Sequence, residues 1–286
     1  MQFRQDSRGT LRRKIGLLMR RNSFITGTVL ASPAPSSTTF ALTSAKMFGA
    51  DHFKGNVIYA VSGTGAGQSA FCSASAIGTG VLTVSPALSP VFDSTTVVEC
   101  WPDEITPDAV NNAINLALDD LEDILNVYVE TASPTLNTAR DVVTIPTAYV
   151  KLCIVRYLDA GGTWRVYRYC HSPELFREEQ GKGFTFMGRS VYLSQPIPSD
   201  IAGTDILITG YSLPAQLNAD TDLAQCPAPF LVYKAAALLE QSLTGNVDID
   251  SEGHASRGSQ WLAQAQQLRP AMPYQHYLPN TIVLEV

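Results

Sequence analysis

Residues 106–129, TPDAVNNAINLALDDLEDILNVYV, restrict the possible folds of this chain more than any other segment. Thr106 is a suitable N-cap. Pro107 suits the first helical position, where the amide hydrogen that proline lacks would have no partner within the helix. Asp108 suits the first turn because the helix dipole favours a carboxylate there. Apolar residues then recur at helical spacing from Val110 to Tyr128. The pattern predicts one continuous helix of about 35 Å, at a rise of about 1.5 Å per residue.

Two more helices are predicted in the C-terminal half. Residues 228–243, APFLVYKAAALLEQSL, are apolar on nearly every side, which is typical of a helix buried among neighbours. Residues 255–268 carry Trp261, Leu262 and Ala265 at helical spacing. With the helix at 106–129, these segments predict an α+β fold with a helical-bundle core.

Two other stretches predict β structure. Residues 26–101 contain six short segments rich in Val, Thr, Ile and aromatic residues, separated by Pro, Ser and Gly and almost without charge. Residues 140–211 form a second β region that is dense in aromatic side chains. We therefore expect a basic N-terminal helix in residues 1–25, an inserted β-rich module in 26–101, an α+β core in 102–269 and an extended tail in 270–286.

The stretch VSGTGAGQSA, residues 61–70, fits the loose dinucleotide fingerprint G-x-G-x-x-A, and Asp93 follows at the distance of a ribose ligand. That fingerprint requires a helix after its glycines, because the phosphate binds at the helix N-terminus. Here the following residues alternate like a strand and reach another turn signal at Gly78-Thr79-Gly80. The stretch therefore predicts a hairpin turn and no nucleotide site.

Composition and spacing also exclude several kinds of site. The five cysteines and four histidines are scattered without metal-ligand spacing. The acidic face of the predicted helix at 106–129 has no opposed carboxylate or histidine for acid–base chemistry. No apolar run approaches the roughly 18 residues of a membrane span. We expect a protein with no catalytic site, no cofactor, no metal and no membrane contact.

Basic residues are concentrated at the N-terminus. The net charge is −6, yet seven of the twenty Lys and Arg residues lie in the first 21 positions. The segment could be a transit peptide, a nucleic-acid-binding arm, or a helix whose apolar face docks on the body. Leu11, Ile15 and Leu18 fall at helical spacing and favour the docked helix, with its arginines facing a partner or solvent.

The aromatic β region leaves a second function open. Arg156, Arg165 and Arg168 alternate there with aromatic residues, a pattern that also occurs in proteins that stack on single-stranded nucleic acid. Strand propensity by itself selects aromatic residues as well.

The C-terminal residues 270–286 contain three prolines and end in TIVLEV. A free apolar strand would be prone to aggregation. We therefore expect this tail to dock, either onto its own body or as an added strand on another protein.

The order of these elements resembles that of the head-to-tail adaptor (neck or connector) proteins of tailed bacteriophages. The resemblance lies in PDEITPDAVNNAINLALDDL and in ILITGYSLPAQLNADTDLAQCPAPFLVYKAAALLEQSLTG, where a strand ending in Gly-Tyr precedes an Asp-rich turn and a buried helix. The segment AIGTGVLTVSP is similar to insertions found in some of these proteins.

This resemblance implies a non-enzymatic virion protein at the head–tail junction, made in the host cytoplasm. Such proteins form homo-oligomeric rings, commonly of twelve copies, between the portal protein and a tail or stopper protein. DNA passes through the ring without specific binding, which suits an acidic chain because a basic wall would hold the phosphates. A different neck or tail component, of the stopper or tail-tube class, is the alternative.

Two sets of residues are candidates for these roles. The partner-binding candidates, facing the portal or a neighbouring copy, lie in the tail and the basic helix: Tyr277, Leu278, Ile282, Val283, Leu284, Val286, Arg12, Arg13, Arg20 and Arg21. The channel-facing candidates are acids of the predicted helix at 106–129: Asp119, Asp120, Glu122 and Asp123.

Overall fold

The chain forms two compact units. The computed structural model describes residues 5–19, 24–121, 127–132, 135–158, 162–170, 183–196, 206–244, 251–268 and 282–283. The first unit consists of Met1–Asp120 and Ala215–Met272, and the second of Leu121–Pro214 and Pro273–Val286.

The helices of the first unit pack around one apolar helix. They are α1 (Arg8–Met19), α2 (Pro107–Asp119), α3 (Ala228–Leu243) and α4 (Ser251–Leu268). As its composition predicts, α3 is buried on most sides, and α1, α2 and α4 contact it. Gly258 lets α4 approach closely, because a Cβ atom there would lie 3.3 Å from Glu240 Cβ and 3.5 Å from the Ala237 carbonyl.

Six antiparallel strands form the sheet of the first unit. They are β1 (Ile25–Thr28), β2 (Thr39–Ala41), β3 (Val57–Ser62), β4 (Ser69–Ser75), β5 (Val81–Ser85) and β6 (Val97–Trp101), in the order β1-β6-β3-β4-β5-β2. A bridge between Val29 and Leu42 joins the ends of the two outer strands, so the sheet curls into a half-barrel. Phe40, Ile58 and Leu82 fill its interior. The six strands predicted between residues 26 and 101 are confirmed, with β1 shifted toward the N-terminus.

The glycine-rich stretch is the β3–β4 hairpin, as predicted from the missing helix. Gly63 has φ +80°, and a Cβ atom there would lie 2.2 Å from the Thr95 carbonyl oxygen. Asp93 accepts hydrogen bonds from Thr64 Oγ1 at 2.6 Å and from the Thr95 amide at 2.8 Å. These bonds lower the pKa of Asp93 to about 2 and tie the hairpin to the turn before β6.

The described part of the second unit is built from strands. They are β7 (Val127–Ala132), β8 (Val142–Thr144), β9 (Tyr149–Leu158), β10 (Trp164–Val166), β11 (Arg168–Tyr169), β12 (Gly183–Met187), β13 (Ser190–Leu193), β14 (Ile206–Ser212) and β15 (Ile282–Val283). One sheet has the order β10-β9-β14-β7 with β15 also paired to β9, and the other has the order β11-β12-β13-β8. Side chains of both sheets, including Leu152, Val191 and Ile208, share one apolar core.

The predicted fold class, with a helical-bundle core, is wrong. Within the described residues there are fifteen strands in three sheets and four helices, so the protein is β-rich. The helix predicted at 106–129 ends at Asp119, and Val127–Ala132 forms β7 instead. The helix predicted at 228–243 is confirmed, and the one predicted at 255–268 begins earlier, at Ser251.

Strand pairing explains the error. The sequence VYVETA is rich in β-branched and aromatic residues, which favour a strand, although its apolar residues also continue the helical spacing. Every residue from Val127 to Ala132 pairs with β14, whose partners lie about eighty residues later in the chain. This long-range pairing outweighs the local helical periodicity.

Candidate assembly interface

Arg12 lies at the centre of a buried polar cluster in the first unit. Its side chain is fully buried, and its Nε donates to Glu99 Oε2 at 2.7 Å. Its two terminal nitrogens donate to the carboxylate oxygens of Asp220, each at 2.7 Å. One of them also reaches Asn111 Oδ1 at 3.1 Å. Arg8 also binds Asp220, at 3.0 Å. We call this group the Arg12 cluster, and its members are Arg8, Arg12, Glu99, Asn111 and Asp220.

The electrostatics of the Arg12 cluster favour its charged form. Burial alone would lower the pKa of Arg12, but its bonds to Asp220 and the charge of Glu99 outweigh this and raise that pKa above its ordinary value. Burial alone would raise the pKa of Asp220, yet the hydrogen bonds and charges of Arg12 and Arg8 hold it below its usual range. The cluster therefore joins α1 to β6, to α2 and to the loop before α3 through buried hydrogen bonds and ion pairs.

This location separates Arg12 from the other predicted partner-binding arginines. A partner could not reach Arg12 without opening the core. Arg13 is 43% exposed and lies 3.6 Å from Glu99 Oε1. Arg20 and Arg21 lie outside the described residues.

Sequence reasoning missed Glu99 and Asp220. Glu99 stands inside the apolar strand sequence VVECW, and a buried carboxylate requires an ionic partner. Glu99 in this apolar strand could therefore have predicted a buried basic partner elsewhere in the chain, but not that the partner is Arg12.

The outer face of α1 borders an apolar groove. Lys14, Leu17 and Leu18 of α1 line it together with three residues of α3: Pro229, Val232 and Tyr233. The groove has a volume of about 360 Å³, and Leu17 is 63% exposed beside it. Lys14, at its edge, forms an ion pair with Asp6.

The outer face of α2 carries a row of exposed side chains one turn apart: Asp108, Asn112, Leu116 and Asp119. Leu116 is 55% exposed. Asp119, a channel-facing candidate, accepts a hydrogen bond from Gln216 Nε2 at 3.2 Å.

The remaining acidic candidates differ from Asp119. Asp120 forms an ion pair with Lys234 of α3, so its charge is balanced within the chain. Glu122 and Asp123 lie outside the described residues.

The C-terminal tail adds a strand to the second unit. Ile282 and Val283 form β15, which pairs antiparallel with Leu152 and Lys151 of β9. β15 therefore occupies an edge position on the sheet of the second unit. The other tail candidates, Tyr277, Leu278, Leu284 and Val286, lie outside the described residues.

A second buried ionic group joins α3 to α4. His254 Nδ1 is hydrogen-bonded to Glu240 Oε2, and both side chains are almost fully buried. Arg257 Nε donates to the other oxygen of Glu240 at 3.3 Å. Like the Arg12 cluster, this group fastens helices together.

The described part of the chain has neither a metal-ligand cluster nor a helix suited to spanning a membrane. No group of three or more His, Cys, Asp or Glu residues is placed there to hold a metal ion. None of the helices described there is both long and apolar enough to cross a membrane.

Comparison with known proteins places the chain in a family. No curated protein matches it. A sequence model of the family described as SU10 adaptor protein matches residues 92–278, which is about two thirds of the chain. The match includes α2, α3, α4 and the strands from β6 to β14, whereas α1 and β1–β5 precede it. Family members are structural proteins of bacteriophage particles and typically have no enzymatic activity. The chain therefore belongs to the SU10 adaptor protein family, the structural adaptor proteins of bacteriophages.

Proposed function

We propose that this protein is a head-to-tail adaptor that forms a ring between the portal protein and a tail or stopper protein. The ring seals the joint and lines the channel through which DNA leaves the head. The observation that carries this proposal is the family match over residues 92–278, which includes three of the helices and nearly all of the second unit. The protein is made in the host cytoplasm and resides at the head–tail junction of the virion.

The C-terminal tail supports this role because its strand β15 is added to the sheet of the second unit. β15 pairs with β9 through main-chain hydrogen bonds, which depend little on side-chain identity. The same apolar segment can therefore pair with a sheet edge of the portal or of a neighbouring copy. In this proposal Ile282 and Val283 supply the pairing, and Tyr277, Leu278, Leu284 and Val286 supply apolar contacts.

The charge of the chain suits a channel that releases DNA. A wall of lysine and arginine would bind phosphates and retain the genome, whereas a chain of net charge −6 repels them. Asp119 is a stronger candidate for the channel surface than Asp120, because Lys234 balances the charge of Asp120. Glu122 and Asp123, which follow in sequence, complete the proposed acidic surface.

The test compares the full-length chain with a truncation ending at Gln267, each alone and mixed with the portal protein of the same virus. Light scattering and negative-stain imaging report assembly, and circular dichroism confirms that the truncated chain is folded. We expect the full-length chain to form rings or to bind the portal, and the truncation to lose portal binding. A folded full-length chain that stays monomeric and ignores the portal contradicts the proposal, and salt-sensitive DNA binding would then favour a nucleic-acid-binding module.

A further inference from the structure

We propose that the C-terminal strand is exchanged between copies, so that β15 of one copy pairs with β9 of the next copy in the ring. The inference rests on the proposed ring, and it assigns the tail to a neighbouring copy instead of the portal. The donor is β15, and the acceptor is the part of β9 that contains Lys151 and Leu152.

The acceptor exists because β10 covers only one end of β9. β14 pairs with one side of β9 along residues 149–157. β10 pairs with residues 156–158 and β15 with residues 151–152, so both of these strands use the other side of β9. The acceptor is thus the part of this side that β10 leaves open.

β10 does not extend over the acceptor, because the chain turns away after Val166. The amide of Tyr167 still donates to the Val155 carbonyl at 3.0 Å. The next residues, Arg168 and Tyr169, form β11 and pair with β12 in the other sheet. Main-chain groups at a sheet edge are a ready template for another strand. The fold of each copy therefore leaves a place for one added strand, and β15 fits that place.

The pairing of β15 is short and does not depend on which copy supplies the strand. β15 is two residues long, and among the described strands it pairs with β9 only. Its main-chain hydrogen bonds are the same whether the strand comes from the same chain or from a neighbour. Exchange of an identical element between copies therefore costs little free energy.

The segment that carries β15 is long enough to reach another copy. α4 ends at Leu268 in the first unit, and β15 begins at Ile282. Fully extended, residues 269–281 would span about 45 Å. A compact unit of about 100 residues is about 30–35 Å across, so this length exceeds the width of one unit. The three prolines of the segment disfavour a helix, which would shorten its reach.

Strand exchange suits a ring. Each copy has one donor strand and one acceptor edge, which are different surfaces, so the contact is heterologous and passes from copy to copy. In a closed ring every acceptor is filled, and no edge of this kind stays open to other chains. The truncation ending at Gln267 lacks the donor strand, so its expected loss of portal binding follows from the loss of the ring.

Paired cysteines test which copy supplies the strand. Lys151 and Val283 lie opposite each other in the β9–β15 pairing, so cysteines at both positions can form a disulfide when β15 is in place. The variant with Lys151→Cys and Val283→Cys is assembled, alone or on the portal, oxidised mildly and run on a non-reducing denaturing gel. We expect a series of multiples of the 30.9 kDa chain that extends beyond the dimer and returns to the monomer on reduction.

The matched control places the two cysteines within one hairpin. Arg156 and Val166 lie opposite each other in the β9–β10 pairing, so we expect Arg156→Cys with Val166→Cys to oxidise without a change in mass. Each single-cysteine variant reports any reaction of the native cysteines, four of which are buried. Thermal unfolding checks that every variant is folded.

A second experiment makes a bond within one chain impossible. Lys151→Cys and Val283→Cys are placed on separate chains, which are co-expressed, so a disulfide between the two positions must join two copies. We expect a linked dimer of one copy of each, and we expect none when either chain is expressed alone.

Three results would contradict the inference. Rings that oxidise only within single chains, or that form no disulfide between β9 and β15, would overturn the exchange and leave the proposed ring standing. Linked products that stop at the dimer would show exchange in closed pairs and would overturn the continuous series. A wild-type chain that forms no ring, alone or on the portal, would contradict both the exchange and the proposed function.

Discussion

At the scale of single residues, Arg12 joins parts of the chain that are far apart in sequence. It lies 87 positions from Glu99 and 208 from Asp220, and it contacts both at 2.7 Å. A buried ion pair adds little stability compared with apolar residues of the same shape. Removing one partner is costly, however, because it leaves a charge in the interior without compensation.

We therefore expect Arg12→Met to lower the free energy of unfolding by about 3–5 kcal/mol, since it leaves the fully buried Glu99 without its main partner. Arg13→Met is the matched control, and because Arg13 is 43% exposed we expect a loss of at most about 1 kcal/mol. Urea denaturation measures both values. Equal losses from the two substitutions would show that the buried contact has no special role.

Asp220 predicts a dependence of stability on pH. The pKa of Asp220 is lowered in the folded state, so its contribution is fully present above the unfolded-state value of about 3.9 and is lost as pH falls through the folded value. We expect Asp220→Asn to be less stable than the wild type near neutral pH, and this gap to narrow below about pH 4. Urea unfolding between pH 3 and pH 7 measures the gap, and a constant gap would contradict the assignment.

The sequence predicted the position of α1 but not the role of Arg12. The apolar spacing of Leu11 and Ile15 identified the docked face, and both residues are fully buried. Arg12 lies on the same side of the helix, so periodicity alone could have placed it there. Its partners could not be read from the sequence, because contacts over 87 and 208 positions depend on the whole fold.

At the scale of elements, short-range signals were reliable and long-range pairing was not predictable. The N-cap at Thr106 is confirmed, with its Oγ1 accepting from the Ala109 amide at 3.1 Å. The six strands of the half-barrel were also predictable, because Gly, Pro and Ser residues separate their β-branched and aromatic segments. β7 was mistaken for helix because its strand character comes from pairing with β14.

The β3–β4 hairpin provides a test at this scale. Gly63 and Gly67 both have positive φ, at +80° and +86°. A Cβ atom added at Gly63 would collide with the Thr95 carbonyl, whereas a Cβ atom added at Gly67 would have no neighbouring atom within 4 Å. Alanine at either position strains the backbone, and at Gly63 it must also displace the turn before β6. We expect Gly63→Ala to be less stable than Gly67→Ala by about 1–3 kcal/mol in thermal or urea unfolding. Equal stabilities would contradict the close contact.

At the scale of the whole molecule, the chain combines a family-matched region with elements that precede it. The family match begins at residue 92, so α1 and the first five strands of the half-barrel lie before it. The Arg12 cluster fastens α1 to Glu99, Asn111 and Asp220, all within the matched region. One buried ionic network therefore holds α1, which precedes the family match, against the matched part of the first unit.

The most direct test of the central claim is to image the purified full-length chain in negative stain, alone and with its portal protein, while light scattering gives the assembly mass. The account predicts closed rings whose mass is a whole multiple of the 30.9 kDa chain, centred on the portal when it is present. A folded chain that remains at 30.9 kDa and does not bind the portal would contradict the account.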